Sequence, residues 1–138
     1  MVDDWAKGMT TRRKAYHRVI EGLELLQKES REREARQKTE TKAMWASMGK
    51  PLKTSEAEYL HTEATEFLDK DIEWINWLRA ARDELLKYPP VTWEESQAYD
   101  HLLKVINAYL ELYTYRTGSS RSVKRDMDWF LKGGGYHG

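Results

Sequence analysis

The stretch SEAEYLHTEATEFLDKDIEWINWLRAARDELLK, residues 55–87, decides the fold predicted for this 138-residue chain. Its large apolar residues recur at the three- and four-residue spacing of a helix face rather than alternating as in a strand. Ser55 and Glu58 have the spacing of a capping box, in which each side chain bonds the other residue's backbone amide. Pro89 and Pro90 follow, and a proline pushes the residue before it out of helical conformation. The stretch therefore predicts one long helix that ends near residue 87.

A further helix is predicted directly after the two prolines. Thr92 and Glu95 repeat the capping-box spacing, and apolar residues continue to about residue 116. These residues lie on more than one side of the predicted helix, so we expect it to be the buried centre of the protein. Gly118-Ser119-Ser120 predicts a loop, because glycine and serine favour turns. A short helix is then expected over residues 122–132.

The sequence before the deciding stretch predicts a helix of a different character. It begins near Thr10 or Thr11, and one apolar face contains Tyr16, Val19, Ile20, Leu23 and Leu26. Between residues 27 and 42 large apolar residues are absent and strong helix formers dominate. This part predicts a solvated helix, or a helix that lies against a charged partner. Gly49-Lys50-Pro51 ends the segment, because proline cannot continue a helix.

Together these elements predict an all-α protein with three regions. Residues 1–53 are a basic helical arm, residues 54–132 are a helical bundle of four-helix type, and residues 133–138 are a glycine-rich tail. No run of apolar residues approaches the roughly 20 needed to cross a bilayer, and the N-terminus lacks the pattern of a signal peptide. We therefore expect a soluble chain.

Charge is distributed unevenly, although the 23 basic and 23 acidic residues cancel overall. Residues 1–53 contain 13 basic and 8 acidic residues, a net charge of +5. Residues 54–116 contain 6 basic and 13 acidic residues, a net charge of −7, and residues 117–138 carry a net charge of +2. The acidic bundle is suited to attract a basic arm, either by folding back within one chain or from a neighbouring copy.

The basic residues of the arm are candidates for contact with nucleic acid, since neutralised phosphates release their condensed counterions. The candidate residues are Arg12, Arg13, Lys14, Arg18, Lys28, Arg31, Arg33, Arg36, Lys38 and Lys42. Glutamates are interleaved with them, and such pairs equally support an exposed, solvated helix. Both interpretations remain open from charge alone.

Aromatic residues are abundant, with six Trp and eight Tyr. Trp74 and Trp77 lie three residues apart on the predicted long helix, and Trp93 follows the prolines. Aromatic residues at helical spacing usually belong to a core, but large rings are also favoured anchors between subunits. We take these three, with Tyr136 in the tail, as candidate interface residues.

No motif points to catalysis. The absence of cysteine excludes thiol nucleophiles and cysteine-bound metals, and no phosphate-binding loop or dinucleotide fingerprint occurs. Glu58 and His61 have the Glu-x-x-His spacing of di-iron bundles, but the second motif that such a site needs is missing. We therefore expect no enzyme activity, metal site or cofactor.

The arrangement resembles the major coat proteins of filamentous archaeal double-stranded DNA viruses, of the lipothrixvirus and tristromavirus type. The similar parts are the basic sequence over residues 12–18, the charged helix to residue 42 and the bundle from residue 55 to 132. The resemblance implies that the arm wraps A-form DNA through phosphate contacts by the basic candidates other than Lys28, which is a candidate from its charge alone. It also implies a paralogous coat protein as heterodimer partner, a lipid envelope around the filament and a location in the virion.

We therefore expect a structural nucleoprotein subunit, a coat protein that packages double-stranded DNA in a helical filament without sequence specificity. The alternative is a small regulatory or inhibitor protein that acts through contacts between helices. The coat-protein interpretation requires that the protein retains DNA, whereas the regulatory interpretation requires only a protein partner.

Overall fold

The computed structural model describes residues 2–46 and 49–133, without the side chains of residues 2–10, 41, 44 and 45. Within these ranges the chain forms three helices and no strand, so the predicted all-α class is confirmed. Helix α1 is Val2–Ala46, α2 is Thr54–Lys87 and α3 is Trp93–Leu131. The helix predicted by the deciding stretch is therefore present as α2.

The two predicted capping boxes have different outcomes. At the start of α2 the amide of Ala57 already donates to the carbonyl of Lys53 at 3.0 Å, so Lys53 is the cap and Ser55 lies inside the helix. The predicted cap at Ser55 is wrong for this reason. At the start of α3 the amide of Ser96 donates to the carbonyl of Thr92 at 3.0 Å, so Thr92 is the cap as predicted.

The loop predicted at Gly118-Ser119-Ser120 is wrong, because α3 continues through it without interruption. Thr117 and Ser120 are buried, and the Thr117 hydroxyl donates to the carbonyl of Thr114 at 2.7 Å. Burial of this turn outweighs the low helix propensity of glycine and serine, which amounts to about 1 kcal/mol for glycine. The described residues therefore form three long helices rather than the four predicted.

Helix α1 also begins earlier than the sequence predicted, at Val2 rather than at Thr10 or Thr11. The charged part over residues 27–42 is helical, as expected from its strong helix formers. Gly49 follows the helix with a φ of 92°, in the left-handed region that glycine adopts without steric cost. The predicted end of the segment near Gly49 is therefore confirmed.

Contacts divide the chain into two units, and each helix contributes to both. The first unit comprises Met1–Arg36 and Asn76–Leu110. Its buried apolar residues are Ala15, Tyr16, Val19, Leu23, Leu26, Leu78, Ala81, Leu85, Leu102 and Ile106. The predicted apolar face of α1 is thus buried except for Ile20, which is exposed. The basic N-terminal segment is therefore part of a packed core between Ala15 and Leu26.

The second unit comprises Gln37–Ile75 and Glu111–Gly138. Its buried apolar residues are Ala57, Ala64, Ile75 and Tyr113. Tyr59 is exposed, and its hydroxyl donates to Glu40 Oε1 at 3.0 Å. Hydrogen bonds with Glu63 and Glu40 raise the pKa of Tyr59 to about 12. Among the side chains that the structure describes, this unit therefore buries fewer apolar residues than the first and joins its helices partly through polar contacts.

A close approach between helices in the first unit occurs at Gly22. A Cβ atom placed on Gly22 would overlap the indole ring of Trp77. Since protein interiors are close-packed, the ring occupies the space that any larger residue would need. Gly118 is the opposite case, because a Cβ there would meet no atom of the described residues within 4 Å.

These two glycines make a matched pair for substitution. We expect Gly22→Ala to lower the free energy of unfolding by about 1–3 kcal/mol, because the methyl group displaces the Trp77 ring. We expect Gly118→Ala to raise the free energy of unfolding by about 0.5–1 kcal/mol, because alanine is the better residue inside a helix. Urea unfolding followed by circular dichroism measures both, and a loss of stability for Gly118→Ala would contradict the continuous helix α3.

Candidate nucleic-acid interface

The buried carboxylate of Glu95 organises the part of the basic segment that the first unit contains. Glu95 is only 4% exposed and lies in the first turn of α3. Its Oε1 accepts the amides of Val91 at 3.0 Å and Thr92 at 3.1 Å, while its own amide donates to the Thr92 hydroxyl at 3.2 Å. These are the reciprocal bonds of a capping box, with one additional amide. The predicted box at Thr92 is confirmed.

Two arginines of α1 face the same carboxylate. Arg12 Nη1 lies 3.4 Å from Glu95 Oε1, and Arg13 Nε lies 3.9 Å from Glu95 Oε2. The Arg12 side chain is 18% exposed, so this ion pair is largely screened from water. A buried carboxylate requires such a partner, because an isolated charge loses far more hydration free energy on burial than an apolar interior can replace. Glu95 therefore joins the start of α3 to α1.

These contacts decide the ionisation of Glu95. Burial by itself raises the pKa of a carboxyl group, but the amides of Val91 and Thr92 and the guanidinium of Arg12 outweigh it. The pKa of Glu95 is lowered as a result. Glu95 is thus a charged residue in the folded protein at neutral pH.

Tyr16 connects α1 to the end of α2 beside this ion pair. Its hydroxyl donates to the carbonyl of Tyr88 at 2.7 Å, and its ring lies 6.2 Å from that of Tyr99. Burial, followed by the nearby charge of Glu95, raises the pKa of Tyr16. The hydroxyl therefore remains a neutral donor, and it satisfies a carbonyl at the helix end that no helical bond reaches.

Three of the candidate basic residues lie against acidic side chains of the first unit. Arg12 and Arg13 lie against Glu95, and Arg18 Nη2 lies 3.6 Å from Glu84 Oε1 of α2. Attraction within the chain, one of the two possibilities left open by the charge distribution, thus occurs in the first unit. Arg13 and Arg18 keep most of their side chains exposed. Contact of these three with phosphate remains a prediction.

The other candidate basic residues are distributed along the rest of α1. Arg33 is half-buried. The exposed ones are Lys14, Lys28, Arg31, Arg36, Lys38 and Lys42. With Arg13 and Arg18, eight of the ten predicted cations are therefore exposed on α1, and the exposed glutamates Glu21, Glu24, Glu32 and Glu34 are interleaved with them.

The candidate aromatic residues occupy three kinds of position. Trp74 and Trp77 are half-buried, and Trp77 packs against Gly22. Trp93 is 73% exposed at the start of α3. Tyr136 lies outside the described residues. The structure thus leaves Trp93 as the one member of the described three with a ring mostly in solvent.

Sequence reasoning missed one feature in each unit. Glu95 was predicted only as a helix cap, and nothing in its spacing indicated that arginines 82 and 83 residues earlier would share its carboxylate. Tyr115 and Trp129 are exposed on α3, although a wrongly placed loop separated them in the prediction. If the helical spacing had been continued through residue 118, it would have placed both rings on the same side of one helix.

Two other kinds of site are absent from the residues that the structure describes. No group of three His, Asp or Glu side chains there is arranged to hold a metal ion. No helix within the same residues combines the length and the hydropathy required to cross a membrane.

No protein-family model, curated protein or solved structure matches this chain. Function must therefore be inferred from the chain's own geometry.

The Glu95 contacts predict a specific dependence of stability on pH. Because the folded pKa is lowered, this carboxylate stabilises the protein fully above the ordinary glutamate pKa of about 4.3 and loses that effect as pH falls below it. We expect Glu95→Gln to lower the free energy of unfolding by about 2 kcal/mol at pH 7, because Arg12 loses its charged partner. The difference between variant and parent should shrink as pH falls from 5 to 3.

Glu94→Gln is the matched control, since Glu94 is the exposed neighbour in the same helical turn. Urea unfolding at several pH values should show less than about 0.5 kcal/mol of change for this control. A Glu95→Gln protein whose stability decreases with acid as steeply as the parent would contradict the role of the Glu95 charge.

Proposed function

We propose that this protein is a structural nucleoprotein subunit, a viral major coat protein that packages double-stranded DNA in a helical filament without sequence specificity. The basic surface of α1 provides the DNA contacts in this proposal, and contacts between subunits form the filament. DNA binding of this kind requires cations that are exposed and not already neutralised within the chain.

Two pairs of exposed cations on α1 support the proposal best. In the first unit Lys28 and Arg31 are three residues apart, and in the second unit Lys38 and Lys42 are four residues apart. Side chains at these spacings share one side of a helix. No ion pair joins any of the four to an acidic side chain among the described residues.

The chemistry of these pairs favours phosphate rather than base edges. Lysine binds phosphate as a point charge, and arginine adds a planar fork that fits two phosphate oxygens. Phosphate contacts position a protein on a duplex but carry no sequence information. A coat protein that covers a whole genome needs this kind of sequence-indifferent contact.

The resemblance to filamentous archaeal virus coat proteins supplies the finer parts of the proposal. Residues 1–53 would serve as the DNA-facing arm, and a paralogous coat protein would complete a heterodimer. The DNA would be held in A-form, and a lipid envelope would surround the filament in the virion. The protein would need neither a cofactor nor a metal ion for this role.

A second candidate function is that of a small regulatory protein that acts through contacts between helices. The exposed ring of Trp93 favours it, since exposed Trp and Tyr side chains are enriched at protein interfaces. This candidate requires a protein partner but no affinity for DNA. Binding to duplex DNA therefore separates the two candidates.

Binding to a duplex of mixed sequence, measured by fluorescence anisotropy over a range of salt concentration, tests the proposal. We expect the logarithm of affinity to fall linearly with the logarithm of salt concentration. Lys28→Ala with Arg31→Ala should reduce this slope by about 2, because each lost phosphate contact removes about 0.9. Lys38→Ala with Lys42→Ala should have an effect of the same size.

Arg79→Ala with Lys104→Ala is the matched control, because it removes two exposed positive charges from α2 and α3 instead of α1. The control should keep the parent's slope, and duplexes rich in A·T or in G·C should bind alike. Electron microscopy should show filaments that protect DNA from nuclease. Absence of DNA binding at low salt, or equal losses in the control, would contradict the proposal.

A further inference from the structure

The solvent-facing side of α3 in the second unit forms a regular stripe of exposed residues. We define the α3 stripe as Glu111, Tyr115, Ser119, Ser122, Asp126 and Trp129, all of which are exposed. They are spaced four, four, three, four and three residues apart, which keeps them on one side of a helix. Tyr113, Thr117 and Ser120 lie on the other side and are buried. The stripe is therefore the face that α3 turns away from its own unit.

This stripe exposes an unusual amount of aromatic surface. Tyr115 is 76% exposed and Trp129 is 59% exposed, and Leu112 and Val123 beside them are also exposed. A Tyr or Trp ring combines a large apolar area with little conformational entropy to lose, which makes such rings the usual anchors of protein interfaces. Two rings in one row on a helix are thus suited to contact another protein surface.

The spacing of the stripe is symmetric about its centre. Tyr115 lies seven residues before Ser122, and Trp129 lies seven residues after it. Seven residues are two helical turns and about 10.5 Å along the axis. When two copies of α3 pair antiparallel with Ser122 opposite Ser122, each Tyr115 faces the Trp129 of the other copy. The small side chains of Ser119 and Ser122 then lie between two aromatic contacts.

The charges of the stripe distinguish the two possible directions of pairing. A parallel pair in register would place Glu111 against Glu111 and Asp126 against Asp126, which is repulsive. The antiparallel pair instead brings Glu111 beside Lys132 of the other copy, at the end of the helix. Lys132 is exposed and bonds only the neighbouring Asp128 of its own turn, at 2.9 Å, among the described residues. Charge therefore favours the antiparallel direction.

We propose that the α3 stripe binds the α3 stripe of a second copy of this protein in an antiparallel, two-fold symmetric pair. Such an interface is isologous, so each residue makes its contact twice. Tyr115 and Trp129 form the aromatic contacts, and Glu111 and Lys132 form the ion pairs at both ends. The pairing is independent of the proposed DNA binding, since it uses none of the cations of α1.

Cysteine crosslinking tests the direction and register of the pair, and the chain contains no cysteine of its own. A disulfide needs two Cβ atoms about 3.5–4.5 Å apart. We expect Ser122→Cys to form a covalent dimer under mild oxidation. Ser119→Cys and Asp126→Cys should crosslink to each other when the two variants are mixed, and neither should crosslink efficiently alone. Efficient crosslinking of Asp126→Cys with itself would indicate parallel helices and overturn the proposal.

Sedimentation without DNA tests the contacts themselves. Trp129→Ser should raise the dissociation constant of the dimer at least about tenfold, as expected for an aromatic anchor. Leu86→Ser, which removes an apolar side chain of similar exposure from the first unit, should leave the dissociation constant unchanged. Glu111→Lys and Lys132→Glu should each weaken the dimer, and the double variant should restore it.

A parent protein that stays monomeric at all concentrations, or a dimer insensitive to the Trp129→Ser change, would overturn the proposed pairing. Neither result bears on DNA binding, because that is measured with variants of α1. Conversely, a dimer that fails to bind DNA would support this pairing and contradict the proposed coat function.

Discussion

The buried carboxylate of Glu95 is the contact on which the arrangement of the first unit depends. It caps the first turn of α3 and, through Arg12, holds α1 against that turn. A carboxylate with so little exposure is stable only when amides and a guanidinium replace its lost water. The side chains of α1 therefore have two tasks in this unit. Tyr16 and its apolar neighbours fill the core, and Arg12 supplies the positive charge that the buried acid requires.

This contact shows that the basic residues in the first third of the chain are not equivalent. Net charge treats every arginine and lysine alike, but Arg12 is engaged in the interior while Lys28 and Arg31 face solvent. Only the second kind retains its full field for an external polyanion, because a neighbouring carboxylate cancels much of the first. A protein that binds phosphate through α1 thus uses a fraction of its cations for its own fold. The proposed DNA contact and the stability of the first unit are carried by different residues of one helix.

Continuity of α3 has an equally direct consequence in the second unit. Burial of Thr117 and Ser120 keeps the helix regular past Gly118, and that regularity aligns Tyr115 with Trp129. A loop at this point would have turned the two rings in unrelated directions. The proposed pairing between copies therefore follows from a local preference for burial over intrinsic helix propensity. On the exposed side of the helix the small side chains of Ser119 and Ser122 lie between the two rings.

The sequence by itself determined the all-α class, the helix over residues 55–87, its end before the prolines and the cap at Thr92, because periodicity and capping are local properties. It also identified the basic segment and the candidate tryptophans. Only the tertiary structure decided that α3 continues through Gly118, that the described residues form three helices rather than four, and that Arg12 is half-buried against Glu95 while Lys28 is exposed. The physical reason is that burial and ion pairing depend on residues far apart in the chain. The spacing of residues within one segment gives no information about partners far away in the chain.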